Sequence, residues 1–321
     1  RGPVRITGIA GSARAWFLLR VMERALDAGK TGGLAVVVPD AESAQELMAD
    51  WAALEPLLPS VASLGISPLF LPDWEQSLYS SVAPSIKVRL QRAAALAALT
   101  GGGHSPFVLF TTPAALVRRT LSAATLTDHS LRLRVGESCG ADRAKFMQLL
   151  SDSGYLRVDS VVDRGTVAAR GELIDVFLPG ARFPHRIELF DDVVEKIRTF
   201  DPDTQRSHAD ATEISVLVVP PCRETLINAT TASRLREQIK SAADDREVPR
   251  SVRDPLLETL REGVYPPASD DWATFCYPET VTAIEHIPAG TTWVRWDDLG
   301  CDQAWDARWR EEKSLFANAS P

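Results

Sequence analysis

The feature that most constrains this chain is a run of strict two-residue alternation near its middle. In His185-Arg186-Ile187-Glu188-Leu189-Phe190, apolar Ile187 and Leu189 share one side of an extended strand, while Arg186, Glu188 and Phe190 share the other. Such a pattern fits a sheet with one buried and one open face. Asp191-Asp192 then reads as a turn, and residues 194–200 run back. A three-residue loop would set Ile187 opposite Ile197 on the buried face. It would also set Glu188 opposite Lys196 and Arg186 opposite Arg198 on the open face. A slip of one residue would carry Lys196 to the core side.

Just upstream, Arg170-Gly171 leads into the apolar strand core Leu173-Ile174-Asp175-Val176-Phe177, which Pro179-Gly180 stops. Residues 164–207 therefore read as a small sheet whose open face carries Arg186, Phe190 and Arg198, with Arg170 nearby. An arginine beside an exposed aromatic is the usual make-up of a protein-binding hot spot. The competing reading is that Phe190 caps the hairpin's own core and the arginines are only solvated.

Both flanks read differently, as alternating strands and helices. The apolar run at residues 34–38 suits a strand covered on both faces, and Asp40 is placed to cap a helix over 41–54. Further elements are predicted at 65–71, at 85–99 (helix), at 106–111 (strand) and at 113–119, where Thr112 caps a helix that Pro113 opens. This alternation predicts a doubly wound layer around a parallel sheet. Residues 131–135 mark the entrance to a second unit, with a helix at 142–153 and an exit strand at 214–219. Beyond Cys222 come helices at 230–243 and 255–262 joined by a charged, solvated stretch at 244–254. Strands follow at 272–277 and 292–296, then an amphipathic helix at 302–316. With 321 residues there is room for two or three compact domains.

The closest thing to an active site lies at the start. Residues 4–7 read as a strand, followed by Gly8-Ile9-Ala10-Gly11-Ser12-Ala13-Arg14-Ala15 and an apolar helix over 16–28, the layout of a phosphate-binding P-loop. An active loop places glycine, lysine and a hydroxyl residue where this chain has Ala13, Arg14 and Ala15. Ala15 cannot ligate magnesium, Arg14 is a bulky planar fork instead of a compact ammonium, and the Ala13 methyl hinders backbone approach to phosphate. The reading is a P-loop that has lost ATP hydrolysis, beside the plainer one of an ordinary strand–helix turn.

Bulk properties narrow the partners. A net charge of −8 argues against a surface given over to nucleic acid as a whole. The four cysteines contain no CxxC pair, so neither a disulfide framework nor a zinc site is suggested. With no signal peptide and no apolar run near the roughly 20 residues of a membrane span, the chain reads as cytoplasmic.

Several stretches, in order, resemble a known family. Residues 167–177, with Arg170-Gly171 and Ile174-Asp175-Val176-Phe177, are similar to the V-R-G-x-x-(I/L)-D-(I/V)-F segment shared by UvrB and the transcription-repair coupling factors (Mfd). So are Arg186-Ile187-Glu188-Leu189-Phe190 and Ile197-Arg198-Thr199-Phe200-Asp201. Phe70-Leu71-Pro72-Asp73-Trp74-Glu75 with Tyr79 resembles a stretch typical of the coupling factors, and Phe110-Thr111-Thr112 with Leu116 also fits. The resemblance implies three parts: a domain 1a at 1–128 with a degenerate P-loop, an inserted α+β domain 2 at 129–221 with an antiparallel sheet, and a domain 1b at 222–321. It implies a RecA/UvrB-like parallel sheet formed by two chain segments. Val294-Arg295-Trp296-Asp297-Asp298-Leu299-Gly300 then looks like a decayed Walker B strand, with Asp298 and Gly300 where UvrB has its Glu and His. Domain 2 of this family recruits UvrA, and by position the contact residues carry over to Arg170, Arg186 and Phe190. The implied function is a non-catalytic module that brings UvrA to transcription-coupled excision repair. Neither ATP nor magnesium is expected here; both belong to the DNA translocase motor of the longer parent, which also holds the contacts to RNA polymerase and DNA. Within that parent an unused UvrA face is expected to be covered intramolecularly. The chain is either part of such a parent or a separate copy of the module. The alternative is an active UvrB-like ATP-dependent DNA-loading protein.

Overall fold

A computed structural model of the protein describes residues 3–28, 33–80, 82–101, 106–207, 213–262, 264–266 and 268–319. Its packing divides the chain into two units. The first comprises Arg1–Asp73, Gly102–Arg118 and Ile287–Pro321, and the second Trp74–Gly101 and Arg119–His286. The expected cuts after residues 128 and 221 thus fall inside the second unit.

The first unit is built on a four-stranded, all-parallel sheet in the order Thr292–Arg295, Leu34–Val37, Val108–Thr111, Leu69–Leu71. Thr292 pairs with Leu34 and Arg295 with Val37, so the sheet joins two distant chain segments, as the resemblance implies. The two central strands are buried along their whole length, which is why they are continuous apolar runs. The helices Ala13–Asp27 and Ala41–Leu54 bring Leu18, Leu19, Met22, Leu47 and Trp51 into the core. Asp40 caps the second of these by accepting from the Ser43 N–H at 2.7 Å, and Thr112 caps the helix Pro113–Val117 by accepting from Ala115 at 3.3 Å.

The terminal helix, Asp298–Ala319, starts four residues before the predicted one and is clamped by a four-member ion network. Arg308 lies 3.5 Å from Asp73 and 3.1 Å from Glu312, while Arg118 lies 2.9 Å from Asp73 and 3.6 Å from Glu312. Asp73 is therefore the point at which the end of the Leu69–Leu71 strand, the segment after the helix Pro113–Val117 and the terminal helix are tied together.

In the second unit a five-stranded sheet runs in the order Val193–Thr199, His185–Phe190, Leu173–Val176, Thr166–Arg170, Leu156–Arg157. All neighbours are antiparallel except the last pair. Phe146, Met147 and Leu150 from the helix Arg143–Asp152 pack on Ile174, Val176, Ile187, Leu189, Val194 and Ile197. The entrance and exit strands, Leu131–Arg134 and Val216–Val219, pair antiparallel with each other. Elsewhere in the unit, Arg92 is fully buried in the helix Ile86–Gly101. It holds Glu224 through bonds of 2.5 and 3.1 Å and stacks 4.6 Å from the Trp74 ring.

Three predicted elements are corrected. Residues 4–7 form no strand; Val4 and Ile6 are exposed, and among the described residues no neighbouring strand completes a ladder with them. Residues 250–254 belong to the helix Arg250–Arg261, steadied by Arg253, which bridges Asp244 at 2.7 Å and Asp254 at 2.8 Å. Residues 272–277 hold the helical turn Ala273–Cys276, because Ala273, Cys276 and Tyr277 are buried at spacings of three and four, a helical period.

Two stability tests follow from these contacts. Glu224→Ala leaves Arg92 charged and buried without its carboxylate, and should cost about 3–5 kcal/mol, more than replacing both residues by apolar ones of similar size; thermal unfolding of the single and double variants checks the order. His185 is buried in the sheet, its Nδ1 makes no hydrogen bond among the described residues, and burial lowers its pKa from 6.5 to about 4. Between those values the unfolded chain binds more protons than the folded one, so this contribution is complete above pH 6.5 and is lost as the pH falls toward 4. At pH 5 the loss should be about 2 kcal/mol, and His185→Gln should flatten that slope in urea unfolding. An unchanged slope would refute the assignment.

Candidate partner-binding face

The sheet acquires its open face because the other one is covered by the helix Arg143–Asp152. Strand order and register then arrange the outward residues in two cross-strand rows. One row runs Ala168, Asp175, Arg186, Arg198, and the next runs Arg170, Leu173, Glu188, Lys196. Ile187 does face Ile197, Glu188 faces Lys196 and Arg186 faces Arg198, as the alternation predicts. The loop that achieves this differs from the expected one. Phe190 pairs with Val193 across the two residues Asp191 and Asp192, Asp191 taking a φ of +54°, and the register then shifts between Val194 and Lys196. A two-residue turn plus a bulge at Glu195 gives the same offset as a three-residue loop. On the neighbouring hairpin Gly171 takes a φ of +60° in the two-residue turn between Arg170 and Leu173, a conformation that favours glycine.

Two arginines stand side by side in the first row, and each is neutralised by a different carboxylate. Arg186 binds Asp175 in a fork, with Nε to Oδ1 at 2.7 Å and Nη2 to Oδ2 at 2.8 Å. Arg198 pairs diagonally with Glu188, and Lys196 with Glu213. The hydrogen bond to Asp175 raises the Arg186 pKa, against the opposing effect of burial. The Arg186 guanidinium also lies 4.5 Å from the centre of the Phe200 ring, and its Nη1 donates to the Gln205 carbonyl at 3.2 Å.

Beneath that guanidinium is a second, smaller core of Val161, Ala168, Phe177 and Phe200. It is roofed by the loop that follows the last strand. Within it the Asp201 carboxylate accepts from the N–H groups of Asp203 and Thr204, and Gln205, with a φ of +58°, donates through Nε2 to Val161 O and Pro202 O.

The three predicted contact residues share this face but differ in exposure. Phe190 is 58% exposed at the tip of its strand, clear of either core. The alternative in which it caps the hairpin's own core does not hold. Arg170 is exposed, and its guanidinium donates to the Asp159 carbonyl at 2.8 and 3.3 Å. Arg186 is only 14% exposed and is the most restrained of the three. Asp175, Phe200 and Gln205, which hold it, were missed as site residues. One signal was present: an aspartate in the middle of an apolar strand must find a partner on the side facing away from the core.

The glycine-rich stretch and the proposed Walker B residues lie in the first unit. Gly8 and Gly11 take positive φ values of 84° and 55°, and the helix begins at Ala13, with Ser12 making no side-chain cap. Arg14 is turned back on its own loop, donating to the Gly11 carbonyl at 3.0 Å and to Glu46 at 3.2 Å, and Ala15 is fully buried. Asp297, with a φ of +55°, accepts from the Gly300 N–H at 3.0 Å and so turns the chain into the terminal helix. A side chain at Gly300 would collide with the Asp297 carboxylate and with Pro39. Asp298 is paired with Arg5 at 2.9 Å and with Arg295 at 3.1 Å.

Residues 131–220 match the family model described as the UvrB interaction domain. The chain is 30% identical over 315 residues to the transcription-repair-coupling factor of Myxococcus xanthus, covering 96% of this chain and 25% of that protein. It is 25% identical over 300 residues to the one from Escherichia coli, covering 93% and 24%, and 35% identical over 164 residues to the one from Staphylococcus haemolyticus, covering 50% and 14%. The chain thus spans about a quarter of the length of the first two relatives.

Proposed function

We propose that this chain, a UvrB-like module of the transcription-repair-coupling factor family with a UvrB interaction domain at residues 131–220, recruits UvrA through the open face of its five-stranded sheet. The observation that carries the reading is Phe190: a large aromatic, 58% exposed, at the tip of a face lined with arginines inside the matched domain. Phe190 supplies an apolar anchor, Arg186 and Arg170 supply directed donors, and Glu188 and Lys196 form the polar rim around them. The role is that of an adaptor in transcription-coupled excision repair, in the cytoplasm. Among the described residues no helix is long and apolar enough to cross a membrane. Contacts with RNA polymerase and DNA, and the ATP-driven translocase, are assigned to other parts of the longer proteins to which the chain is similar. Domain 2, at 129–221, is the working part of the three-part division, and the domains at 1–128 and 222–321 are its scaffold.

The stretch from Gly8 to Ala15 is read as a degenerate P-loop without ATPase activity. Arg14 is occupied by Gly11 and Glu46, Ala15 offers no hydroxyl, and Asp298 is already paired with two arginines. The alternative, a UvrB-like ATP-dependent DNA-loading protein, requires saturable nucleotide binding and magnesium-dependent hydrolysis by this chain alone.

Phe190→Ala should weaken UvrA binding by about 2 kcal/mol, roughly thirtyfold, in an equilibrium titration. Undiminished binding by a folded Arg186→Ala/Phe190→Ala double variant would sink the proposal. Titration with labelled ATP and magnesium should show no turnover, whereas hydrolysis would restore the alternative. If the face is covered within a longer protein, the isolated module should bind UvrA more tightly than that protein, and equal affinities would argue against covering.

A further inference from the structure

Arg186 is the least exposed of the three contact residues, and everything around it holds it still. Its fork is closed on both oxygens of Asp175, a carboxylate that is itself only 6% exposed. One flat side lies on the Phe200 ring at 4.5 Å. One N–H of its Nη1 donates to the Gln205 carbonyl, presented by a residue in the left-handed region at a φ of +58°, and two of the five guanidinium N–H groups are left to donate to a partner. That conformation is uncommon for glutamine, and it is over-determined here by the Gln205 side-chain bonds to Val161 and Pro202 and by the turn that Asp201 closes. An exposed arginine samples many rotamers and loses that freedom when it binds. One held in a planar fork on an aromatic ring has lost it beforehand.

We propose that Asp175 is a positioning residue for the partner face, which with Phe200 and the Gln205 carbonyl fixes Arg186 in its docking orientation before the partner arrives. The inference rests on the reading that this face receives UvrA. It adds that the aspartate in the Leu173–Val176 strand acts on the partner only through Arg186, and that the loop from Asp201 to Arg206 is a brace for that arginine.

The test is a double-mutant cycle on the whole chain, with UvrA affinity measured for the wild type, Asp175→Asn, Arg186→Ala, the double variant and Phe190→Ala, each checked for folding by circular dichroism. Asp175→Asn keeps the shape of the side chain but removes its charge, and should weaken binding roughly tenfold, less than the loss of an anchor, because Arg186 is loosened and not removed. In the Arg186→Ala background it should add nothing, because Asp175 has no further route to the partner. The Arg186 Nε–H resonance should exchange slowly in the unbound wild type and quickly in Asp175→Asn. Should Asp175→Asn not fold, Gln205→Ala, which strips the anchors of the brace, should give a smaller loss that likewise vanishes without Arg186. Multiplying losses in the double variant, or wild-type affinity in Asp175→Asn, would overturn the positioning role while leaving the docking reading intact. Wild-type affinity in both Arg186→Ala and Phe190→Ala would overturn the docking reading, and the positioning role with it.

Discussion

One face of the five-stranded sheet is buried under the helix Arg143–Asp152, and this burial governs what the other face can be. Because side chains alternate along a strand, placing Ile187, Leu189, Ile174 and Ile197 in the core obliges Arg186, Glu188, Asp175 and Arg198 to share the opposite side. The chain therefore faces a problem of like charges, with Arg186 and Arg198 directly opposite each other. It is solved by two carboxylates, Asp175 for the first and Glu188 for the second. Apolar burial and ion pairing are in this sense one constraint: a slipped register would bury charges and separate both pairs together.

The same economy appears in the polar groups buried elsewhere. Arg92 with Glu224, and the half-buried Asp73 with Arg118 and Arg308, are ionic contacts between segments far apart in sequence. Such contacts are weak sources of stability, since desolvation offsets most of the attraction. Their value lies in specificity. A buried arginine tolerates only the arrangement that brings its carboxylate within reach, so each network selects one packing of the segments it joins. Asp73 and Trp74, adjacent in the chain, each serve such a network in their own unit.

Much of the architecture was legible because it depends on local periodicity. Continuous apolar runs gave the parallel strands, strict alternation gave the hairpin and its register, and Asp40 and Thr112 gave two helix starts. Errors arose where local pattern and long-range packing disagree. Residues 4–7 have a strand's alternation but no strand to pair with among the described residues, and residues 272–277, whose three aromatics favour a strand, bury positions of helical spacing. The hairpin shows a subtler case. Its register was legible from side-chain faces, but the turn and bulge that produce it depend on backbone angles at Asp191 and Glu195 that composition does not encode.

The candidate face divides along the same line. Sequence alone determined that Arg186 and Phe190 share the outward side of their strand, and that the glycine-rich stretch lacks the lysine and hydroxyl of an active loop, since these follow from residue identity and a two-residue period; the strand pairing added Arg170 to that side. Only the tertiary structure decided which of those residues are free and which are held. Phe190 stands exposed because neither core reaches the strand tip, whereas Arg186 is gripped by Asp175 from one strand, Phe200 from just past the end of another and Gln205 from a loop. Exposure and restraint are set by contacts between segments that only folding brings together, and no local pattern carries that information.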